Sequence, residues 1–204
     1  GGIGRAVTDR LTRDGYRVAS WDLSADAPRA DLALSVDVTD DVACAAATAE
    51  TEARLGPIRA LVVNAGILGP VARAWEVPLA ETRRVLETNL LSGCATSGGQ
   101  LGTDRSGLVL SRKAAEDLGV EIGDTVTAEH PARRGDGLTV VRTPMEATLD
   151  PAQRADKLRR IPMGRFAEAE EVAAMVSFLC GPDCSFSTGA VFVLSGGRLL
   201  NWGD

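Results

Sequence analysis

The sequence predicts an α/β fold built around a doubly wound parallel sheet. Three observations support this prediction. A glycine-containing turn is followed by a helix, a strand and an acid within residues 1–22. Further along, the apolar residues 61–63 lead directly into Asn64-Ala65-Gly66. Short apolar segments also alternate with helical patterns, which is typical of a parallel sheet covered by helices.

The bulk properties favour one domain that acts on a small molecule. The 204 residues are enough for a single α/β domain, which we predict to span residues 1–204. A net charge of -6 and a pI near 4.9 disfavour a nucleic-acid surface. No apolar run approaches the roughly 18 residues that cross a bilayer, and no secretory leader is recognisable. We therefore expect a cytoplasmic protein with neither a nucleic-acid nor a membrane partner.

The cysteines indicate neither a disulfide framework nor a metal site. The chain has four scattered cysteines and a single histidine, His130, which make a poor zinc set. Cys180 and Cys184 lie four positions apart near a predicted helix end. We expect them to be buried or half-buried thiols, and no metal is predicted.

The amino-terminal order of turn, helix, strand and acid is the second half of a dinucleotide-binding pattern. Glycines such as Gly2 and Gly4 let a backbone approach a pyrophosphate at a helix N-terminus. Asp22 follows Gly4 by 18 residues, the spacing at which an acid holds the adenosine ribose hydroxyls. Its carboxylate would repel a 2′-phosphate, which favours NAD over NADP. The alternative is that Asp22 merely ends a strand.

Periodicity and capping residues predict the remaining elements. Thr39 or Asp40 can cap a helix that Gly56 ends, and Asp150 with Pro151 can open another. The predicted helices span residues 5–14, 41–54, 78–91, 151–160 and 170–179, and the predicted strands span residues 16–21, 32–38 and 61–63.

The segment at residues 61–66 is the best candidate for a ligand site. Three apolar residues predict a buried strand, and Asn64-Ala65-Gly66 follows at its carboxyl end. In open α/β sheets, ligands bind beyond that end of the strands. Asn and Gly also end many strands for local turn reasons, so a plain turn is the competing interpretation.

Taken in order, these motifs resemble those of the short-chain dehydrogenase/reductase family over residues 1–92 and 143–200. Gly2-Ile3-Gly4 resembles the end of the family's glycine turn, and Asp37-Val38 its adenine-contacting pair. Asn64-Ala65-Gly66 resembles the family signature, Asn89 its catalytic asparagine, and residues 187–197 its last strand.

The resemblance implies a Rossmann-like sheet that binds NAD and transfers hydride to or from a secondary alcohol or ketone. Thr143 would face the nicotinamide carboxamide. The cofactor-binding residues implied are Gly2, Ile3, Gly4, Asp22, Asp37, Val38, Asn64, Ala65, Gly66 and Thr143.

The family's proton donor is missing. Family members carry a Tyr-x-x-x-Lys pair and a preceding serine, because a carbonyl that receives hydride also needs a proton. The only tyrosine is Tyr16, at the start of the second strand and away from the cleft. Ser111 and Lys113 are the nearest candidates for the serine and lysine. If Lys113 is the lysine, Val109 takes the tyrosine position.

A second alignment leaves the catalytic pair equally incomplete. If Ser111 is the family serine, the tyrosine and lysine positions fall near Asp124 and Ala128. On either alignment, residues 93–139 are a divergent or inserted segment that alters the fifth-strand region. The catalytic residues that remain are Asn89, Lys113 and Ser111.

The family's first strand would precede Gly1, so we expect this chain to be a processed product or a fragment. Without that strand, two half-sheets would carry unpaired edges unless residues 120–127 or 138–142 fill the gap. The expected cost is several kcal/mol of stability.

Three hypotheses follow for function. The first is an NAD-dependent dehydrogenase of impaired activity, the second a non-catalytic dinucleotide-binding or interaction protein, and the third a damaged or chimeric reading frame. A small alcohol or ketone is the expected substrate, and a homo-oligomer with a weakened family interface is the expected assembly.

Overall fold

The computed structural model describes residues 1–70, 73, 75–91, 141–144 and 146–198. Ser111 and Lys113, with the whole of the segment 93–139, lie outside this part of the chain. The chain divides into two compact units. The first unit comprises residues 1–16, 129–186 and 190–204, and the second comprises residues 17–128 and 187–189. A single domain over residues 1–204 stays a prediction.

The described elements are five α-helices, four short strands and three other helical turns. In chain order they are α1 (Gly2–Arg13), β1 (Ala19–Asp22), β2 (Leu32–Ser35), α2 (Asp41–Leu55), α3 (Leu79–Leu86), a π-helical turn (Glu87–Leu91), β3 (Val141–Arg142), a 3₁₀ turn (Glu146–Thr148), α4 (Pro151–Arg159), β4 (Ala167–Glu168), α5 (Ala169–Cys180) and a second 3₁₀ turn (Pro182–Cys184).

The second unit is built on the parallel pair β1 and β2. Ala19 lies opposite Leu32, and Asp22 lies opposite Ser35. A small core of Val36, Cys44 and Ala47 joins this pair to α2. The α2 helix begins as predicted, because the Asp40 side chain accepts hydrogen bonds from the backbone N–H groups of residues 42 and 43.

The first unit packs α1 against α5. Val7 and Leu11 on α1 and Ala173 on α5 are buried. The parallel pair β3 and β4 precedes α5, and Phe166 beside β4 is only 1% exposed. The predicted helix at residues 151–160 is confirmed as α4, where Asp150 and Gln153 form a reciprocal capping box.

The glycine segment is helical, whereas the sequence predicted a turn. Gly2, Ile3 and Gly4 form the first turn of α1 instead of preceding it. The helix ends before Gly15, the predicted stop residue, whose φ of 90° lies in the left-handed region. The glycines therefore place backbone N–H groups at the helix N-terminus, where an anion is favoured.

Two apolar runs predicted as strands make no strand ladder in the described residues. Residues 61–63 form no strand, and neither do residues 187–197, which include the apolar run 190–194; Val62 and Val191 are 38% and 67% exposed. A strand exists only through hydrogen bonds to a neighbouring strand, and apolar composition cannot supply that neighbour. The buried strand predicted before Asn64 is therefore wrong as a paired and fully buried element.

The strand pairing agrees in part with the two half-sheets predicted from the sequence. The described strands form two separate pairs, β1 with β2 and β3 with β4. Val141 pairs with Ala167, so this part of residues 138–142 does not extend the β1–β2 pair. Residues 120–127 lie outside the described chain.

The helix predicted for residues 78–91 is shorter than expected. Regular α-helix ends at Leu86 and gives way to the π-helical turn. Its expected apolar side is open, with Leu79 and Leu86 74% and 50% exposed. Amphipathic spacing sets which side chains share a face but does not provide a partner for that face.

Candidate cofactor site

In the second unit, the Asn89 side chain forms hydrogen bonds to the backbone of the residue that follows Asn64-Ala65-Gly66. Its Oδ1 accepts a hydrogen bond from the Ile67 backbone N–H at 2.8 Å. Its Nδ2 donates to the Ile67 carbonyl at 3.0 Å. A Cβ added at Gly66 would lie 3.6 Å from Asn89 Oδ1, so the signature turn and the asparagine are adjacent.

Asn89 lies in the π-helical turn that follows α3. The Glu87 N–H is shared between the Arg83 and Arg84 carbonyls at the point where the regular α-helix ends. Single π turns within α-helices are frequent at functional sites, because they reorient a side chain without ending the helix. Residues 64–66 are exposed, so their backbone is open to a ligand.

Asp22 and Asp37 lie at the same edge of the second unit. Asp22 ends β1, and Asp37 follows β2 by two residues. Because the strands are parallel, their carboxyl ends meet at one edge. The Asp22 carbonyl also accepts the Val36 N–H at 2.8 Å, which holds the two chains together beyond the ladder.

Asp37 is fixed as a carboxylate. Its Oδ1 accepts the Thr39 hydroxyl at 2.7 Å and the Thr39 N–H at 2.9 Å. These bonds lower the pKa of Asp37, with the hydroxyl bond the larger cause. The neighbouring Val38 packs partly buried against the core of Val36, Cys44 and Ala47.

In the first unit, Gly2 lies against Thr143. A Cβ added at Gly2 would be 3.2 Å from Thr143 Cγ2 and 3.4 Å from Pro144 Cδ. Gly1, which precedes the helix, provides no side-chain cap, and the first turn contains no acid. The helix N-terminus thus offers backbone donors without a carboxylate of its own, which suits a phosphate.

Tyr16 lies at the other end of α1. Twelve helical residues separate the two ends by about 18 Å. A Cβ added at Gly181 would lie 3.7 Å from the Tyr16 hydroxyl oxygen. Burial, followed by the nearby Cys180 and Asp14, raises the pKa of Tyr16. The phenol therefore lies far from Gly2 and is harder to ionise than usual.

Each unit, taken by itself, carries residues of a kind that binds part of a dinucleotide. The first unit has a helix N-terminus without a side-chain cap, where a Cβ added at Gly2 would be crowded by Thr143. The second supplies the carboxylates of Asp22 and Asp37 and the fastened turn at Gly66. Pyrophosphate binding needs the first feature, and ribose binding needs a carboxylate.

Sequence reasoning missed two residues of this region. It did not identify Ile67 as the partner of Asn89, and it gave no role to Glu146, which is buried in the turn after Thr143. Ile67 directly follows the Asn64-Ala65-Gly66 motif, which was the available signal. Nothing in the local pattern indicates that Glu146 is buried.

Within the described residues, no helix is long and apolar enough to cross a membrane. The described part of the chain also contains no group of three or more metal-ligating side chains. Cys180 and Cys184 are half-buried free thiols, as predicted.

Two family models match the chain. One, described as short chain dehydrogenase, covers residues 1–101. The other, described as enoyl-(acyl carrier protein) reductase, covers residues 138–198.

Two relatives and one solved structure illustrate the similarity. The 2-dehydro-3-deoxy-L-rhamnonate dehydrogenase (NAD(+)) of Sphingomonas sp. is 32% identical over 97% of this chain and 91% of its own length. The inactive 2-(S)-hydroxypropyl-CoM dehydrogenase 2 of Xanthobacter autotrophicus is 30% identical over 80% of this chain and 83% of its length. A 7α-hydroxysteroid dehydrogenase complexed with NADH and 7-oxo glycochenodeoxycholic acid superposes with a TM-score of 0.74, at 22% identity over 97% of this chain and 90% of that one.

The parallel α/β elements and the similarity to this solved structure define a Rossmann-type fold. The 32% identity to the Sphingomonas dehydrogenase, over 97% of this chain, narrows the assignment from a fold to a family. The chain belongs to the short-chain dehydrogenase/reductase family, whose members use a nicotinamide cofactor and act on small molecules.

Proposed function

We propose that the chain binds NAD(H) and transfers hydride between its nicotinamide and a secondary alcohol or ketone, at a rate lowered by the missing tyrosine. The observation that carries the proposal is the contact of Gly2 with Thr143. It joins the residue proposed for the pyrophosphate to the residue proposed for the nicotinamide carboxamide, although they lie far apart in sequence. A helix N-terminus beside Thr143 is a suitable environment for the charged half of the cofactor.

Each cofactor-binding residue has a proposed role. Gly2, Ile3 and Gly4 present backbone N–H groups to the pyrophosphate, while Asp22 accepts the ribose hydroxyls. Asp37 and Val38 contact the adenine, and Asn64-Ala65-Gly66 lies along the remaining sugar. Because Asp22 is a carboxylate, it repels a 2′-phosphate, and NAD is preferred to NADP.

The proposed chemistry lacks an efficient proton donor. When bound, the nicotinamide supplies or accepts the hydride, and the substrate oxygen must gain or lose a proton in the same step. Ser111 and Lys113 are proposed to hold the substrate oxygen and the ribose, while Asn89 orients water with Lys113. Water replaces the tyrosine as the acid, so a rate lower by roughly 10²–10⁴-fold is expected.

A second candidate function is dinucleotide binding without turnover. Tyr16 is the only tyrosine of the whole sequence and lies at the opposite end of α1 from Gly2. A relative at 30% identity carries the word inactive in its name, so loss of activity occurs among similar proteins. Cofactor binding needs Gly2, Asp22 and Asn64 but no proton donor.

The two candidates are separated by measuring binding and turnover on the same sample. NADH oxidation with a broad panel of ketones tests turnover, and the shift in melting temperature with NAD tests binding. Oxidation above the no-enzyme background supports the dehydrogenase. A thermal shift without oxidation supports the binding protein. If a sample that melts cooperatively shows neither oxidation nor a thermal shift, both candidate functions are rejected.

We also propose the cellular setting that accompanies this function. The protein acts on a small alcohol or ketone in the cytoplasm and forms at most a weak homo-oligomer. Exposed Leu79 and Leu86 on α3 are consistent with a helix that retains part of an association surface. Analytical ultracentrifugation across a concentration series would show association strengthening with concentration.

A further inference from the structure

Glu146 is a buried carboxylate whose hydrogen bonding is incomplete. Its side chain is 7% exposed. Within the described chain, its buried Oε1 has no hydrogen-bond partner. The same oxygen lies 3.4 Å from Arg154 Nε, an ion pair that is longer than a good N–H to oxygen bond. A buried carboxylate costs free energy unless it is well paired, so an apolar residue of similar size would pack here at lower cost.

Arg154 is held in place from its other side. Its guanidinium lies over the ring of Phe166, 5.4 Å from the ring centroid. Phe166 is 1% exposed, and its carbonyl accepts a hydrogen bond from Arg165 at 3.1 Å. Arg165 in turn forms two 2.7 Å bonds to Glu171 on α5. The cation facing Glu146 is therefore anchored to the most buried part of the first unit.

Glu146 is also tied to Thr143 through the backbone. The Ala147 N–H donates to the Thr143 carbonyl at 3.2 Å, and the Leu149 N–H donates to the Glu146 carbonyl at 3.0 Å. These two bonds place Glu146 next to the residue that Thr143 holds. Thr143 in turn lies against Gly2 at the N-terminus of α1.

We propose that Glu146, held by Arg154, is a positioning residue that sets Thr143 against the first turn of α1. This inference rests on the proposed function, because it assigns Glu146 to the nicotinamide end of the cofactor site. Glu146 need not contact the cofactor. Its carboxylate is drawn toward a fixed guanidinium, and the two backbone hydrogen bonds carry that constraint to Thr143.

A double-mutant cycle between Glu146→Gln and Gly2→Ala tests this link. Gly2 is outside the left-handed region, so alanine acts there through its Cβ, which meets Thr143. Glutamine has the same size as Glu146. The Arg154 side chain is 47% exposed, so water can solvate its guanidinium when the charge of Glu146 is lost. We therefore expect the Glu146→Gln variant to fold. The NADH dissociation constant is measured for all four proteins by direct titration.

The expected result is strong non-additivity. Glu146→Gln weakens NADH binding about tenfold in the native background and less than about threefold once Gly2→Ala has already displaced Thr143. If Glu146 had only a structural role, Glu146→Gln would weaken NADH binding by the same factor in the native and the Gly2→Ala proteins. That result overturns the proposal. Glu170→Gln, an exposed acid in the first turn of α5, is the matched control and leaves the dissociation constant unchanged.

The test also separates this inference from the proposed function. If the native protein binds no NADH, the proposed function fails, and the cycle is read from free energies of unfolding in denaturant. Non-additive unfolding free energies then support the link between Glu146 and Gly2. Additive values reject it.

Discussion

Both polar atoms of the Asn89 side chain bond to the backbone of a single residue, Ile67. One donor and one acceptor of the amide therefore hold the chain immediately after Gly66. Because a carboxamide donates and accepts at once, only Asn or Gln can make this pair of bonds, and Gln is longer by one methylene. Asn89 thus shapes the turn at residues 64–66 before any ligand binds.

Replacing Asn89 by Ala should lower stability and weaken cofactor binding together. Two exposed hydrogen bonds are lost, at about 0.5–1.5 kcal/mol each. The free energy of unfolding from urea titration and the NADH dissociation constant provide the two measurements. Glu87→Gln, an exposed residue of the same π turn, is the control. An Asn89→Ala protein with native values for both quantities would show that the Ile67 contact has no structural role.

Glycine substitutions should separate backbone strain from crowding. Gly164 and Gly196 both have φ near +60°, but only Gly196 is crowded, since an added Cβ would lie 2.8 Å from Ile161 Cγ2. Gly164→Ala should cost about 1–2 kcal/mol for the left-handed conformation. Gly196→Ala should cost roughly a further 1–3 kcal/mol from overpacking. Equal losses in denaturant unfolding would contradict the described packing of Ile161.

The Arg165–Glu171 pair should make stability depend on acid pH. The hydrogen bond from Arg165, followed by that from the Glu168 N–H, lowers the pKa of Glu171 to about 2, from an ordinary value of 4.5. A depressed pKa means that the stabilisation is complete above pH 4.5 and is lost as the pH falls toward 2.

Unfolding free energies between pH 2.5 and 7 check this expectation. Glu171→Gln should remove part of the decline below pH 4.5, whereas Glu170→Gln should leave the decline unchanged. The same slope in all three proteins would mean that the pair contributes nothing to acid sensitivity.

Ser177 should control the ionisation of Asp14 across the α1–α5 contact. Asp14 Oδ2 accepts the Ser177 hydroxyl at 2.5 Å and Arg10 Nε at 2.6 Å. The Ser177 bond is the larger cause of the lowered pKa of Asp14. Ser177→Ala should therefore raise the pKa of Asp14 toward its ordinary value of 3.8, as measured by carboxyl NMR titration. An unchanged pKa would show that the hydroxyl does not bind the carboxylate in solution.

Local signals predicted the helices better than the strands. Asp40 and the Asp150 capping box begin helices where the sequence indicated, and Gly15 follows the end of one; all three are short-range signals. The runs at residues 61–63 and 190–194 were apolar enough for strands, but a strand depends on distant partners that composition does not provide. Helical boundaries are local properties, whereas sheet pairing is not.

In the candidate site, too, some features could be inferred from the sequence and others could not. The positions of Asp22 and Asp37 at one sheet edge follow from two parallel strands and could be inferred from sequence. The Asn89–Ile67 bonds join residues 22 apart in the chain, and the burial of Glu146 depends on contacts made by the folded first unit. No sequence pattern reports either feature, because both arise from packing between segments.

Direct titration with NADH tests the central claim that this chain retains a cofactor site. Trp21, whose indole donates to Thr51 at 3.1 Å, directly precedes Asp22 and provides a fluorescence donor next to the proposed ribose site. Excitation of tryptophan should give saturable NADH emission, and Asp22→Ala should shift saturation to higher NADH concentrations. A cooperatively folded sample that shows no saturable emission would contradict the account.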